Sequence, residues 1–199
     1  MVFQHYTLFP WLTVLENAFF ADRLAINRSS ENTNGDRSSD IRKRALQLLE
    51  LTGLDGFQDA YPKELSGGMQ QRVAIVRALA NRPKVLLMDE PFGALDSQTR
   101  EEMQEMLLLL SRVEKITIIF VTHDIEEALF LSDRILILSQ RPGRVAREER
   151  IPFGSERSPS LKLTEPFWKL KRSLVEFLHD GQPPSFAREK LLEALHDKS

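Results

Sequence analysis

Two apolar runs of strand length lie in the middle of the chain, and each ends in residues that can do chemistry. The first is "KVLLMDE", residues 84–90, and the second is "ITIIFVTHD", residues 116–124. Between them, Asp96 or Ser97 begins a helical pattern that we expect to end near Arg112. A strand, a helix and a second strand in this order predict neighbouring parallel strands of a buried sheet. The predicted fold class is therefore α/β.

The carboxyl ends of these strands hold the candidate catalytic groups. Asp89 and Glu90 end the first run, and His123 follows the second. An aspartate at a strand end can hold Mg²⁺, and the next carboxylate is then free to orient and deprotonate a water molecule. A lone acidic pair is also typical of a solvated strand end. These residues alone therefore do not decide between a catalytic and a structural role.

A third stretch, "LSGGMQQRVAIVRAL" at residues 65–79, begins with a serine and two glycines and continues with helical periodicity. Ser66 suits the N-cap, because its hydroxyl can accept a hydrogen bond from an amide of the first turn. The amides left over at a helix start attract anions such as phosphate. A glycine pair is equally typical of an ordinary turn. The stretch alone leaves both alternatives open.

Two further helices are predicted in the N-terminal half of the chain. Thr13 and Glu16 have the spacing of a capping box for a helix near residues 14–25. Asp40 is predicted to cap a second helix that runs through about Leu51.

The other patterns complete the outline. The polar segment "NRSSENTNGDRSSD" is predicted to be a surface loop. "RILILS" and "GRVAREERI" are predicted strands joined by the turn "QRPG". Residues 164–180 form an amphipathic helix whose apolar side is expected to be a packing face.

Composition excludes several classes of protein. A net charge of -2 and a pI near 6.1 provide no general attraction to nucleic acid. The absence of cysteine excludes disulfides and thiolate metal sites. The longest apolar runs are much shorter than a membrane span. Any contact with a membrane is therefore expected to go through a partner.

Five short motifs occur in one order along the chain: a glutamine at position 4, "LSGGM", "VLLMDE", "GALD" and "VTHD". In this order and spacing they resemble the ATP-binding subunit of an ABC transporter. "LSGGM" together with "RPGRV" most resembles the importers of nitrate, sulfonate, taurine and bicarbonate. The resemblance implies a P-loop NTPase-like α/β nucleotide-binding domain with a helical subdomain over residues 1–151. Residues 152–199 would form a C-terminal extension with one amphipathic helix.

The resemblance also implies a role for each motif residue in handling ATP and Mg²⁺. Asp89 would hold Mg²⁺, Glu90 would be the general base, and His123 would sense the γ-phosphate. Gln4 would touch Mg²⁺ or the attacking water, although it is also typical of a polar strand end. The residues that would contact the other subunit of a head-to-tail dimer, or its ATP, are Ser66, Gly67, Gly68, Gln70 and Asp96. For Asp96, an ordinary helix cap is the competing interpretation.

The phosphate-binding loop of this family is not found in the sequence. That loop has the pattern GxxxxGK[ST], and none of the nine glycines is followed by lysine. The resemblance therefore implies that the N-terminal strands, the loop and the adenine-stacking aromatic are missing. We expect the chain as given to be inactive alone. Unpaired strand edges are also expected to make it marginally stable or prone to aggregation.

The resemblance implies partners as well. They are transmembrane permease subunits, a second ATP-binding subunit that is identical or a paralogue, and indirectly a solute-binding protein, with no nucleic acid. The chain would act as a peripheral protein at the cytoplasmic face of the inner membrane.

Three hypotheses for function follow. The first is the energy-coupling ATPase subunit of an importer for a small anion. The second is a non-catalytic remnant or interaction module that pairs with an intact subunit. The third, a chromosome-maintenance or DNA-repair ATPase, has the least support, because the chain has no heptad run and its charge does not suit DNA.

Overall fold

The computed structural model describes residues 1–2, 7–20 and 34–180, with the backbone alone for 34–38 and 180. Gln4 lies outside the described residues. The chain divides into two compact units, Met1–His123 and Asp124–Ser199, which are described separately below. The division of the sequence after residue 151 concerns motif content and stays a prediction.

The first unit combines helices with a parallel pair of strands. Its elements, in chain order, are α1 (Val14–Ala18), α2 (Asn34–Leu51), a 3₁₀ turn (Pro62–Glu64), α3 (Gly67–Leu79), β1 (Val85–Asp89), α4 (Ser97–Glu114) and β2 (Thr117–Val121). β1 and β2 are parallel, as the sequence predicts, with Val85 opposite Thr117 and Asp89 opposite Val121. Val2 extends the sheet through a parallel bridge to Met88. Both catalytic candidates therefore leave the same edge of one sheet.

The start of α1 follows the predicted capping box. The Thr13 hydroxyl accepts from the Glu16 amide at 3.3 Å, and the Glu16 carboxylate accepts from the Thr13 amide at 3.0 Å. These two bonds satisfy amide groups that have no partner within a helix. α1 ends at Ala18, whereas the sequence predicted a helix as far as residue 25; residues 21–33 lie outside the described part of the chain.

The start of α2 differs from the prediction, and its end agrees with it. The helix begins at Asn34, six residues before the predicted cap Asp40, so part of the predicted loop is helical. Asp40 instead forms an ion pair with Arg82 at 3.3 Å. At the other end, Gly53 has φ +69 and its amide donates to the Glu50 carbonyl. The left-handed conformation at this position favours glycine, which stops the helix.

The core of the first unit is apolar and fills the space between the helices and the sheet. Its most completely buried large side chains are Leu48, Leu49, Leu54, Ile75, Leu79, Leu86, Met88, Phe92 and Met103. Burying one such side chain stabilises a fold by about 1.5–3 kcal/mol. The strands β1 and β2 each send only one face into this core.

Two arginines tie the helices of the first unit together. Arg44 on α2 forms an ion pair with Glu114 and donates to the Leu79 carbonyl at 3.4 Å. Arg72 on α3 donates to the Thr52 carbonyl at 3.1 Å and to Glu102 of α4 at 3.2 Å. Each guanidinium therefore bonds to groups on two other parts of the helical layer.

The second unit holds an antiparallel hairpin and a long helix. Its elements are α5 (Ile125–Leu131), β3 (Arg134–Leu138), β4 (Val145–Arg150), a 3₁₀ segment (Pro159–Leu163) and α6 (Glu165–Asp180). The hairpin and the C-terminal helix agree with the sequence pattern. Phe167 and Leu174 of α6 are buried, which confirms its apolar side as a packing face. Trp168 of the same helix is 54% exposed.

Arg157 anchors the segment that connects β4 to α6. Its side chain is almost completely buried. It donates to the carbonyls of Phe130 and Ser132 at 3.0 and 2.9 Å and to the Asp133 carboxylate at 2.8 Å. The arginine thus satisfies carbonyls that a helix end leaves without partners.

Within the described residues, no helix is both long and apolar enough to cross a membrane.

Candidate functional site

The end of β1 turns sharply, and this turn directs the acidic pair. Glu90 has φ +44, which is uncommon for a residue other than glycine. Its amide donates to the Val121 carbonyl at the end of β2 at 2.9 Å, and its carbonyl accepts from the Gly93 amide at 3.2 Å. The Asp89 amide donates to the Val2 carbonyl at 3.0 Å. The main chain of both acidic residues is therefore held by the sheet while their side chains point beyond it.

Glu90 and His123 meet at this edge. The distance from His123 Nδ1 to Glu90 Oε1 is 3.0 Å, although the residues lie 33 positions apart in the chain. The Glu90 side chain is 34% exposed and that of His123 is 78% exposed. The imidazole can donate to the carboxylate through Nδ1. This geometry suits a carboxylate that accepts a proton beside a group that orients it.

The start of α3 has the predicted cap. Ser66 has an extended backbone, and its hydroxyl accepts from the Met69 amide at 3.3 Å. Gly67 and Gly68 form the first turn, with Gly68 buried. Gln70 turns back: its Nε2 donates to the carbonyls of Pro62 and Leu65 at 3.0 and 3.2 Å. The binding role of Gln70 stays a prediction.

Asp96 is the N-cap of α4. Its carboxylate accepts from the Thr99 amide at 3.0 Å. Hydrogen bonds from the Thr99 backbone and then the Thr99 side chain lower the pKa of Asp96 below its ordinary value. The competing interpretation of Asp96 as a helix cap is thus correct, and it leaves a role across a dimer open.

The structure gathers the predicted residues into two groups. Glu90 and His123 are in contact beside Asp89. Gly68 lies against Thr99, so the starts of α3 and α4 are also adjacent. Among the described residues, no three His, Cys, Asp or Glu side chains cluster closely enough to form a metal site.

The carboxylates at the strand ends fit a Mg²⁺ site only if phosphate oxygens and water supply the other ligands. Magnesium usually binds through one or two carboxylates together with phosphate oxygens and water. Asp89 and Glu90 supply that number of carboxylates. The lysine that neutralises the β- and γ-phosphates has no counterpart in this sequence, because no glycine precedes a lysine. The residues present therefore fit part of an ATP site.

Sequence reasoning missed two residues that shape the candidate sites. Thr99 has no motif signal, and only the packing of α3 on α4 identifies it. Asn17 is completely buried; its Nδ2 donates to the carbonyls of Phe9 and Leu12 at 3.1 and 3.0 Å, and its Oδ1 accepts from the Phe9 amide at 2.8 Å. A polar residue inside the apolar pattern "TVLENAFF" is the signal that could have identified it.

Comparison with known proteins identifies the family. A profile of the ABC transporter family matches residues 1–93. Over 194 residues the chain is 45% identical to the nitrate import ATP-binding protein of Synechocystis sp.. The aligned region covers 97% of this chain and 68% of that protein. The chain belongs to the ABC transporter ATP-binding family. It is also 43% identical over 182 residues to an aliphatic sulfonates import ATP-binding protein of Bacillus cereus, covering 90% of this chain and 66% of that protein.

A solved structure supports the same assignment for this ABC protein. A dimeric ATP-binding cassette in a post-hydrolysis state, bound to ADP and Pi, is 39% identical with a TM-score of 0.57. The match covers 76% of this chain and 63% of that chain. The predicted fold class, an α/β ABC nucleotide-binding domain with a helical subdomain, is confirmed, and so is the resemblance to anion importers. The chain spans about two thirds of the length of the relatives described above.

Proposed function

We propose that the chain is the ATP-binding and ATP-hydrolysing subunit that energises an ABC importer for a small anion such as nitrate, sulfonate, taurine or bicarbonate. The observation that carries the proposal is the contact between Glu90 and His123 at 3.0 Å, beside Asp89 at the end of β1. The names of the relatives support the class of solute.

Each residue at the strand ends has a definite task in this proposal. Bound Mg²⁺–ATP would supply the phosphoanhydride bond and the cation that neutralises its phosphates. Asp89 would hold the cation. Glu90 would orient a water molecule and take its proton on a carboxylate oxygen. His123 would orient the Glu90 carboxylate through Nδ1 and present Nε2 to the γ-phosphate.

The starts of α3 and α4 would serve the partner subunit. Ser66, Gly67 and Gly68 begin a helix of 13 residues, whose positive dipole end favours an anion. Together with Gln70 they would bind the ATP of the second subunit, and Asp96 would make a contact across the dimer beside that ATP. The dimeric state of the solved cassette supports such pairing. Gln4 would complete the site with a contact to Mg²⁺ or water.

The permease would dock on the segment of residues 8–20. Trp11 in this segment is 69% exposed, which argues against its burial in the core, whereas Phe19 is half-buried. Phe9 packs against Trp11 with ring centroids 5.5 Å apart. A subunit bound there would sit as a peripheral protein at the cytoplasmic face of the inner membrane. A solute-binding protein would act only indirectly, through the permease.

A second candidate function is a non-catalytic module that pairs with an intact ATP-binding subunit. One observation favours it: the 199 residues contain no phosphate-binding loop. Such a module would lend residues 66–68 to the partner's ATP and leave hydrolysis to the partner.

One experiment separates the two functions. A chimera would join to this chain an N-terminal segment that carries the phosphate-binding loop GxxxxGK[ST] of an ABC ATP-binding protein. The first function predicts steady phosphate release from Mg²⁺–ATP by the chimera, and uptake of one of the named anions when its permease is present. A folded chimera that binds ATP tightly but releases no phosphate would support the second function instead.

A further inference from the structure

The second glycine of α3 is in unusually close contact with α4. Gly68 is buried, and a Cβ atom added to it would lie 2.4 Å from Cγ2 of Thr99 and 3.9 Å from its Cβ. A separation of 2.4 Å is much shorter than carbon atoms in contact allow. The first turn of α4 therefore occupies the space where a side chain at position 68 would be.

The position of Thr99 is set by Asp96. The Thr99 amide donates to the Asp96 carboxylate at 3.0 Å, so the cap fixes the main chain of Thr99 in the first turn of α4. The methyl group of the Thr99 side chain is the part that meets Gly68. The cap of α4 and the start of α3 are thus linked through a single side chain.

The two helices are joined again farther along. Arg72, four residues after Gly68, donates to Glu102, three residues after Thr99, at 3.2 Å. The second contact lies about one turn after the first in both helices. The helices α3 and α4 are therefore parallel, with their starts at the same end. At the opposite end, Arg44 bonds to the last residue of each helix.

We infer that Thr99 is a positioning residue that fixes the start of α3, residues 66–68, against the Asp96-capped start of α4. Position 68 is glycine because the Thr99 methyl group requires that space. The two helix starts would then meet the partner subunit as one rigid surface. This inference rests on the proposed function, which places both starts at that partner.

Thermal unfolding of the full chain without nucleotide tests the contact. In a helix with free space, Gly→Ala raises stability because alanine favours the helix. The contact predicts the opposite sign: Gly68→Ala should lower Tm by about 2–10 °C, the usual range for overpacking in a domain of this size. Gly154→Ala is the matched control, since nothing lies within 4 Å of a Cβ at position 154. It should change Tm little.

A second substitution at the contact should reverse the loss. Thr99→Ser removes Cγ2 and keeps the main-chain amide that donates to Asp96. In the Gly68→Ala background the added Cβ would then meet Thr99 Cβ at 3.9 Å, an ordinary contact. Most of the lost Tm should return. A rise in Tm for Gly68→Ala alone, or no recovery in the double variant, would overturn the inference.

Hydrogen exchange measures positioning rather than stability. Thr99→Ala should speed amide exchange in residues 67–72 of α3 and leave exchange in β1 and the last turns of α3 unchanged. Thr117→Ala, an exposed threonine on β2, is the control and should leave residues 67–72 unchanged. Equal acceleration throughout the first unit by Thr99→Ala would mean only global destabilisation and would refute a positioning role.

These measurements need neither ATP nor a partner. If the chimera did not hydrolyse ATP, the outcome of these measurements would therefore not change. If they refuted the Gly68–Thr99 contact, the proposed role of Glu90 in hydrolysis would be unaffected.

Discussion

Glu90 is the residue at which backbone conformation and chemistry are most closely connected. A residue other than glycine at positive φ costs about 1–3 kcal/mol, so it persists only where the surroundings hold it. Here the bond from its amide to Val121 supplies that restraint and directs the carboxylate to His123. This restraint agrees with a carboxylate that must be aimed accurately.

Replacing Glu90 separates its proposed role from ATP binding. In the chimera that supplies the phosphate-binding loop, Glu90→Gln should retain ATP affinity, because a general base contributes little to ground-state binding. Hydrolysis should slow by about 100-fold or more, the usual scale for loss of a general base. Phosphate release and calorimetry measure the two effects. Hydrolysis at the parental rate would show that another residue is the base, and His123 would be tested next.

Ser66→Arg provides the contrasting variant. In the same chimera, it places bulk and charge where the partner's γ-phosphate would fit, so ATP binding by the monomer should persist while pairing fails. Sizing chromatography with Mg²⁺–ATP should show a dimer for Glu90→Gln and a monomer for Ser66→Arg. Dimers of both variants would contradict the proposed position of Ser66.

The Asp96 cap makes one contribution to stability that depends on pH. Its pKa is lowered in the folded chain by hydrogen bonds from Thr99, so the ionised form is favoured on folding. The contribution is present at neutral pH and is lost as the pH falls from about 4 toward the lowered folded value. Asp96→Asn keeps a capping oxygen without the charge. The Tm of the parent should exceed that of the variant at pH 7, and the difference should disappear at low pH. A constant difference over that range would rule out this linkage.

Among the elements, β1 and β2 stand out because, within the described residues, apolar side chains on one face of their sheet are about half exposed. Val85, Ile119 and Val121 on this face are 52%, 51% and 47% exposed. In the described part of the chain, β2 pairs only with β1, so its outer edge also has unpaired main-chain groups. Parallel strands are normally covered on both faces. This element therefore accounts physically for the expected tendency to aggregate.

A charge on that face should reduce self-association. Ile119→Lys places an ammonium group on the exposed apolar surface, where it opposes both stacking of sheets and edge pairing. Light scattering over a concentration series should show less association than for the parent. Leu163→Lys, at an exposed leucine of the second unit, is the control and should change nothing. An equal effect of both variants would mean that net charge, rather than this face, controls association.

Internal hydrogen bonds fix the conformation of the segment around α1, and Trp11 of this segment is exposed. Asn17 binds main-chain groups of Phe9 and Leu12, while Arg77 of α3 donates to the Thr7 carbonyl at 2.9 Å and lies over the Phe9 ring. Burial lowers the pKa of Arg77 below its ordinary value. An exposed tryptophan on a rigid support is typical of a binding hot spot.

Crosslinking tests docking by this segment. A photoreactive group at Thr7 or Glu16 should capture the permease in a reconstituted complex. Trp11→Ala should weaken capture by about tenfold or more, the scale of a tryptophan hot spot. Trp168→Ala, at an exposed tryptophan of the second unit, is the control. Unchanged capture with Trp11→Ala in an assembled transporter would count against this surface.

For the whole molecule, the decisive feature is that its residues supply only part of an ATP site. The strand ends offer carboxylates and a histidine, and the starts of α3 and α4 offer amides. The phosphate-neutralising lysine is not among the 199 residues. Charge on the phosphates would therefore remain largely uncompensated.

We expect the 199-residue chain neither to bind Mg²⁺–ATP tightly nor to hydrolyse it. Calorimetry should give a dissociation constant above about 1 mM, which corresponds to a binding free energy weaker than about 4 kcal/mol. A phosphate-release assay should stay at background, with the chimera as the positive control. Micromolar affinity with steady turnover by the purified chain would contradict this prediction.

Local patterns were enough to predict the strands β1 and β2, the hairpin, the C-terminal helix, and the caps at Thr13, Ser66 and Asp96. Alternation and periodicity act between near neighbours, and a cap needs only the amide three residues on, so the sequence holds that information. The start of α2 was predicted wrongly: the helix begins at Asn34, inside the polar segment read as a loop, so Asp40 lies within the helix rather than at its cap.

Contacts across longer separations were decided only by the tertiary structure. Glu90 meets His123 because two parallel strands end at one edge, and Gly68 meets Thr99 because two helices pack with their starts together. The strand pattern predicts that Glu90 and His123 end neighbouring strands but not that their side chains touch, and the Gly68–Thr99 contact has no signal in its own stretch of sequence. Their distances depend on the packing of the whole core between them, which no short window of residues contains.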